Sequence, residues 1–186
     1  MRIIGGKNKG RKIIPPVDKQ TRPLRDIVKE SIFNLIEHSN IFKIDINNSK
    51  ILDLFSGSGS FGLECISRGA QHVLFVEHYK EILKVLKKNI ISIDTFKKRV
   101  LIEKNCFDYL DQNKQWPHKF NIIFLDPPYK ETKINFIIEK IKENEILEEN
   151  GILIIHRHKK DNIDISGELK ILDTRIYGIS KIIIGS

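Results

Sequence analysis

Five short apolar runs, each separated from the next by a helical pattern, limit the fold of this 186-residue chain more than any other feature. The runs are predicted to be strands at 51–54, 72–77, 100–104, 121–126 and 151–156. Their residues are almost continuously apolar, which is typical of strands in a parallel sheet that is covered on both faces. The pattern therefore predicts an α/β fold with a mostly parallel central sheet and helices on both faces.

Helical spacing of apolar residues predicts the elements that cover this sheet. The predicted helices are 23–38, 61–68, 80–91 and 133–142, with a short turn of helix at 106–110.

The two ends of the chain follow another pattern. Residues 2–4 and 11–14 flank a glycine-containing turn and predict an N-terminal β-hairpin extension, while 169–176 and 180–184 predict a terminal antiparallel hairpin. With no linker or repeat in the sequence, we expect one domain. Within it, a basic hairpin extension at residues 1–20 precedes the main unit at residues 21–186.

Composition narrows the class of partner. The net charge of +8 and a sequence pI of about 9.4 favour a polyanion, and nucleic acid first. Cys65 and Cys106 have neither metal-ligand nor disulfide-framework spacing, so a reducing cytoplasm is expected. No apolar run approaches the roughly 18 residues of a membrane span, and no segment predicts an interface. We therefore expect a cytoplasmic monomer with no membrane partner.

The first predicted strand runs into a glycine-rich loop that opens a helix, and this is the candidate cofactor site. Such a loop lets the backbone approach a ligand closely, and an acid at the end of the next strand can hold ribose hydroxyls. Gly57, Gly59 and Gly62 also match a dinucleotide-binding pattern. Asp53 argues against that ligand, because a carboxylate here would repel a pyrophosphate but accept hydrogen bonds from an ammonium group. The predicted cofactor-binding residues are Asp53, Phe55, Ser56, Gly57, Ser58, Gly59 and Glu77.

Two further residues follow the third predicted strand. Asn105 and Cys106 occupy the position where folds of this kind contact adenine. The Asn105 side chain could accept a hydrogen bond from the adenine amine, and the Cys106 amide could donate one to the ring. Asn105 could equally cap the short helix that follows. An adenosine-containing cofactor with a free ammonium group, such as S-adenosylmethionine, would satisfy both ends of this site.

The segment Asp126-Pro127-Pro128-Tyr129 ends the fourth predicted strand and is the candidate catalytic loop. An exocyclic amine of a nucleobase is a poor nucleophile because its lone pair is delocalised into the ring. The Asp126 side chain and the Pro127 carbonyl can accept its two N–H groups and stabilise the charge that develops on nitrogen. Tyr129 can stack on an extruded base. This chemistry requires no metal, and no metal-ligand cluster is visible.

On these motifs, the sequence resembles the bacterial RsmD-type methyltransferases, which modify guanine N2 in 16S ribosomal RNA. The likeness covers nearly the whole chain. The matching pieces are Arg2–Gly6, Gly10–Lys12, Thr21–Pro23, Asp26, Val28, Phe33, Asn34, Asp53–Phe55, Gly57–Gly59, Ser67–Ala70, Glu77, Asp126–Tyr129, Tyr177 and Gly178. The N-terminal pieces are more specific than the catalytic tetrapeptide, which many amino-methyltransferases share.

The resemblance implies a Rossmann-like class I methyltransferase that uses S-adenosylmethionine. It also implies transfer to one guanine of the assembled small subunit or a late precursor. Thr21 and Arg22 would lie near the methionine end of the cofactor. Two residues depart from the family pattern: Leu24 replaces a usual Thr, and His156 replaces a frequent Glu, so this chain lacks the carboxylate that the family often carries there.

The first twelve residues contain several cations and no acid, which favours contact with RNA phosphates. The predicted RNA-binding residues are Arg2, Lys7, Lys9, Arg11, Lys12 and Arg25. Three other functions stay open on the sequence alone: a DNA adenine-N6 methyltransferase, an NAD-dependent oxidoreductase, and a non-catalytic RNA-binding assembly factor.

Overall fold

The computed structural model describes residues 1–16, 23–93, 99–112, 115–162, 164, 165, 167 and 169–186. Within these residues the strands are β1 (Lys50–Leu54), β2 (His72–Val76), β3 (Arg99–Ile102), β4 (Phe120–Leu125), β5 (Leu147–His158), β6 (Ile171–Tyr177) and β7 (Ser180–Gly185).

The strands form one sheet in the order β3-β2-β1-β4-β5-β7-β6. Neighbours from β3 through β5 are parallel, whereas β7 is antiparallel to both β5 and β6. The mostly parallel sheet and the terminal hairpin are therefore confirmed. The chain moves outward from β1 to β3 and then returns to the centre at β4. Such a reversal of strand order is where open α/β sheets bind ligands.

Helices cover both faces, as predicted. They are α1 (Asp26–His38), α2 (Ser60–Ser67), α3 (Lys80–Ile93), α4 (Cys106–Gln112) and α5 (Ile134–Glu143). The first three pack on one face in an apolar cluster that includes Phe33, Phe61 and Phe124, and α4 and α5 pack on the other. Phe61 stacks on Phe124 with ring centroids 4.0 Å apart, which fixes the start of α2 against β4. No helix among the described residues is long and apolar enough to cross a bilayer.

The N-terminal hairpin is present, as predicted, but it is short. Arg2 and Lys12 form an antiparallel bridge, and main-chain hydrogen bonds of 2.8–3.1 Å join residues 1–3 to residues 10–13 around it. The outward-facing amides of Ile4 and Gly5 donate to the Glu64 carboxylate at 2.8 and 2.7 Å. The segment is packed on the rest of the protein, since Ile3 is buried in the same cluster as α1 and α2.

A buried ion pair joins this segment to the two helices. The Lys29 and Glu64 side chains are both 0% exposed, and their charged atoms lie 3.5 Å apart. The Lys29 ammonium also donates to the Arg2 carbonyl at 2.7 Å and to the Ser60 hydroxyl at 3.2 Å. Burial lowers the pKa of Lys29, and the Glu64 charge opposes that shift. The pair therefore holds the N-terminal segment beside the first residue of α2.

Replacing Lys29 with Met should lower the free energy of unfolding by about 1–3 kcal/mol, because Glu64 loses one buried cation but keeps the Arg68 guanidinium at 3.0 Å. Urea unfolding measures this directly. Lys84→Met is the matched control, since it breaks the exposed pair with Glu81 and should cost about 0.5 kcal/mol or less. Equal losses in the two variants would show that the buried pair has no special part in the fold.

Candidate active site

The parallel register places two loops at the same level of the sheet. Leu54 is paired with Val76 on one side and with Leu125 on the other, so the chain leaves all three strands together. A cavity of about 560 Å³ lies at this edge. Its lining residues are Pro23, Leu24, Asp53, Phe55, Ser56, Gly57, Ser58, Ser60, Phe61, Glu77, His78, Tyr79, Phe124, Asp126, Pro127, Pro128, Tyr129 and Lys130. The structure thus brings the predicted cofactor loop and the predicted catalytic loop to one site.

The cofactor loop has an unusual backbone. Gly57 and Gly59 have φ angles of 54° and 82°, and Phe55 has a φ of 61°, which is rare for a bulky residue. Left-handed residues of this kind cluster at ligand sites, where the surroundings hold them in place. Gly62 has another function: a Cβ there would lie 2.3 Å from the Phe75 ring. It lets α2 pack closely on β2.

Side chains around the loop fix its path. The Ser56 hydroxyl donates to the Asp53 carbonyl at 2.6 Å and accepts from the Val76 amide at 3.0 Å, so it ties the ends of β1 and β2 together. The buried Asn89 donates to the Ser58 carbonyl at 2.9 Å and exchanges two hydrogen bonds with the Ile14 main chain. Asn89 therefore couples the N-terminal segment to the cofactor loop. Sequence analysis did not predict this connection, because Ile14, Ser58 and Asn89 are far apart along the chain.

Asp53 already interacts with the start of α2. Its side chain is 1% exposed, and Oδ2 accepts from the Gly62 amide at 3.0 Å. Burial raises the pKa of Asp53 well above its usual range, and the charges of Asp126 and Glu77 raise it further. A pyrophosphate at this helix would meet a carboxylate instead of an open set of amides. The geometry therefore disfavours a dinucleotide in this loop.

Glu77 also has an ordered carboxylate at the cavity. Its Oε2 accepts from the Gly57 amide at 2.8 Å, and its Oε1 accepts from the amides of His78 and Tyr79 at 2.7 and 2.9 Å. These bonds fix the carboxylate between the ends of β1 and β2. Its predicted contact with ribose hydroxyls stays a prediction.

The catalytic loop is contacted from the end of β5. Nδ1 of His156 lies 2.9 Å from Oδ1 of Asp126, and the His156 side chain is 2% exposed. The Tyr129 ring lies edge-on to the ring of His158 at a centroid distance of 5.1 Å. Sequence analysis assigned no role to His156. A polar residue at the end of an apolar strand was the available signal, but only the pairing of β5 with β4 identifies its partner.

The predicted adenine contacts lie beside the cavity rather than on its lining. The Asn105 Oδ1 accepts from the Phe107 amide at 2.9 Å and so caps α4, as the alternative reading expected. Cys106 is buried, and burial raises the pKa of its thiol. Contact of either residue with adenine stays a prediction. Thr21 and Arg22 lie outside the described residues.

The predicted RNA-binding residues are all exposed, but they do not form one cluster at the cavity. The Lys7 amide donates to the Ser67 carbonyl at the end of α2, whereas α2 begins at the cavity with Ser60. Eight helical residues span about 12 Å, so the tip of the N-terminal segment lies far from the site. Arg11 donates to the Ser92 carbonyl at the end of α3. The exposed cations of residues 2–12, called the strip below, therefore extend to the C-terminal ends of α2 and α3.

Comparison with known proteins identifies the family. A family model described as "Conserved hypothetical protein 95" matches residues 1–186. The chain belongs to that family. It is 32% identical to "Putative rRNA methyltransferase YlbH" of Bacillus subtilis, over 99% of this chain and 97% of that protein. It is also 32% identical to "Ribosomal RNA small subunit methyltransferase D" of Haemophilus influenzae, over 96% of this chain and 90% of that protein.

A solved structure supports the same assignment. "Putative methyltransferase yhhF from Escherichia coli" matches with a TM-score of 0.82 at 25% identity, and the match covers 100% of this chain and 96% of that one. The Rossmann-like fold of class I methyltransferases is therefore confirmed. The resemblance to RsmD-type enzymes, read from the sequence motifs, is confirmed as well.

Proposed function

We propose that this protein transfers a methyl group from S-adenosylmethionine to the exocyclic N2 amine of a guanine in small-subunit ribosomal RNA. Two of its relatives are named as ribosomal RNA methyltransferases, and S-adenosylmethionine is the methyl donor that the resemblance to RsmD-type enzymes implies. Guanine N2 and the small subunit rest on the motifs shared with RsmD-type enzymes. The loop geometry alone does not choose among the amines of adenine, cytosine and guanine.

One observation carries the proposal: three carboxylates, those of Asp53, Glu77 and Asp126, border a single cavity. S-Adenosylmethionine carries a positive sulfonium and an ammonium group, and it has no phosphate. The Asp53 carboxylate, whose pKa is raised in the open site, fits an ammonium ion that would restore its charged form. An NAD pyrophosphate would face the same carboxylates without a compensating cation. The residues present therefore fit the methyl donor better than the dinucleotide.

The residues of the catalytic loop would activate the amine. His156 holds Oδ1 of Asp126, which orients the carboxylate so that Oδ2 can accept one N–H of the base. The Pro127 carbonyl would accept the other. These two acceptors draw the nitrogen toward tetrahedral geometry and direct its lone pair into the cavity. The Asp126 carboxylate would accept the proton that the amine loses on methylation. When bound, S-adenosylmethionine would supply the methyl group from its sulfonium, and a neutral thioether would remain.

The substrate can be tested by incubating the protein with labelled S-adenosylmethionine and, separately, naked ribosomal RNA, small subunits and DNA. We expect label on a guanine of the small-subunit RNA, with the position mapped by nuclease digestion. Asp126→Asn should lower the transfer rate by at least about 100-fold, because it weakens an acceptor needed as charge develops on nitrogen. Its affinity for S-adenosylmethionine should fall far less than the transfer rate, since Asp126 contacts the base in this scheme and only borders the donor.

Asp108→Asn is the matched control, because this aspartate lies on the exposed side of α4. It should transfer at the wild-type rate. Label on adenine of DNA, or on no RNA, would contradict the proposed substrate. Loss of cofactor binding by a folded Asp126→Asn variant would instead show that the two loops have been assigned the wrong roles.

The strip of exposed cations on the N-terminal segment is proposed to contact phosphates around the target base. Replacing Arg11 and Lys12 with Ala should reduce the slope of log affinity against log salt by about one to two, since each lost phosphate contact removes about 0.7–0.9. Filter binding of ribosomal RNA across a salt series measures the slope. Lys84→Ala with Lys88→Ala removes the same charge from the exposed face of α3. If both pairs change the slope equally, the strip has no specific contact.

A further inference from the structure

Arg157, near the end of β5, is a buried cation at the back of the catalytic loop. It is 3% exposed, and residues of this type are rarely buried unless their charge is paired and their donors are used. A guanidinium offers five N–H donors in a rigid plane. The contacts of these donors explain why an arginine is tolerated inside the protein.

Most of the donors are directed at the loop that follows Asp126. Nη1 donates to the Pro128 carbonyl at 3.1 Å, and Nη2 donates to the carbonyls of Tyr129 and Glu131 at 3.1 and 2.8 Å. Nε donates to the Asp161 carboxylate. One side chain therefore binds three main-chain carbonyls within four residues of the loop.

The loop that follows Asp126 depends on hydrogen-bond donors from other parts of the protein. Pro127 and Pro128 have no amide hydrogen, so the loop cannot hold its own path through a regular set of main-chain hydrogen bonds. A turn bond from the Glu131 amide to the Pro128 carbonyl, at 2.9 Å, is the internal bond that the described contacts provide. Arg157 supplies the other donors from the neighbouring strand.

The set of hydrogen bonds from Arg157 to the loop, called the clamp below, is held in place by its own neighbours. The Asp161 amide donates to the His158 carbonyl at 2.9 Å, which closes the turn after β5, and the Lys181 ammonium on β7 donates to the Asp161 carbonyl. Successive residues of a strand point to opposite faces of the sheet. His156 therefore holds the Asp126 side chain, while Arg157 holds the backbone two to five residues further on.

We propose that Arg157 is a positioning residue for methyl transfer: its guanidinium fixes the backbone that aims the Pro127 carbonyl and the Tyr129 ring at the base. The inference rests on the proposed function of the same loop. It assigns Arg157 no contact with cofactor or base, and so it predicts an effect on the rate of transfer rather than on cofactor binding. Binding three carbonyls at once requires a planar group with several N–H donors. A lysine ammonium has fewer donors and no fixed plane, so it replaces the guanidinium only in part.

The test compares Arg157→Met and Arg157→Lys with wild type in two measurements. In the first, hydrogen exchange of the peptide spanning 125–132 should become faster in Arg157→Met, because a loop without these three bonds opens more often and exposes its amides, that of Glu131 included. In the second, kcat for methyl transfer to ribosomal RNA should fall by about 100-fold, the size expected for a displacement of about 1 Å in a reacting group. The kcat of Arg157→Lys should lie between the kcat of Arg157→Met and that of wild type. Affinity for S-adenosylmethionine should stay within about threefold in both.

Asn144→Ala is the matched control. Asn144 also donates to a carbonyl, that of Leu110 at 2.9 Å, but it lies at the opposite edge of the sheet. It should leave kcat and the exchange of 125–132 unchanged. Unchanged exchange in Arg157→Met, or a kcat within about twofold of wild type, would overturn the inference. If wild type methylates no RNA, the proposed function fails, whereas the exchange measurement still tests whether Arg157 fixes the loop. If Arg157→Met does not fold, Arg157→Lys gives the same comparison.

Discussion

The parallel pairing of β1 with β4 is the constraint on which the site depends. In this register Asp53 is paired with Phe124 and Leu54 with Leu125. The cofactor loop and the catalytic loop therefore leave the sheet at the same level and face one cavity. A slip of one residue would turn the Asp53 side chain to the opposite face of the sheet and separate the carboxylates. Stacking of Phe61 on Phe124 resists such a slip, because it fixes the helix after the cofactor loop against the strand before the catalytic loop.

Local patterns in the sequence predicted most of this arrangement. Continuous apolar strands, the glycine-rich turn and Asp126-Pro127-Pro128-Tyr129 are features of neighbouring residues, and the structure brings them together as expected. The contacts that sequence analysis missed join distant residues: Ile4 is 60 positions from Glu64, Ile14 is 75 from Asn89, and Pro128 is 29 from Arg157. The N-terminal hairpin was predicted from its local pattern, but its attachment to the Glu64 carboxylate on α2 was not.

Charge is divided between the inside and the outside of the molecule. The protein has a net charge of +8, yet its central cavity is bordered by three carboxylates. An acidic cavity suits a cationic methyl donor, whereas exposed cations suit the phosphates of RNA. The acidic cavity and the cationic segment are connected, because Asn89 forms hydrogen bonds both with the cofactor loop and with the N-terminal segment. The same chain thus has an acidic cavity and a basic N-terminal segment, which the proposed function would use for the methyl donor and for RNA.

Calorimetry of cofactor binding tests the central claim, that the acidic cavity is built for a cation, most directly. Burial raises the pKa of Asp53 in the open site, so part of Asp53 is protonated at a pH near this raised pKa, and an incoming ammonium ion should expel that proton. Affinity for S-adenosylmethionine should therefore increase as pH rises through this raised pKa. Titrations in two buffers of different ionisation heat should show proton release in wild type and none in Asp53→Asn, with no binding of NAD by either. Proton release that persists in Asp53→Asn, or tighter binding of NAD than of S-adenosylmethionine, would contradict the account.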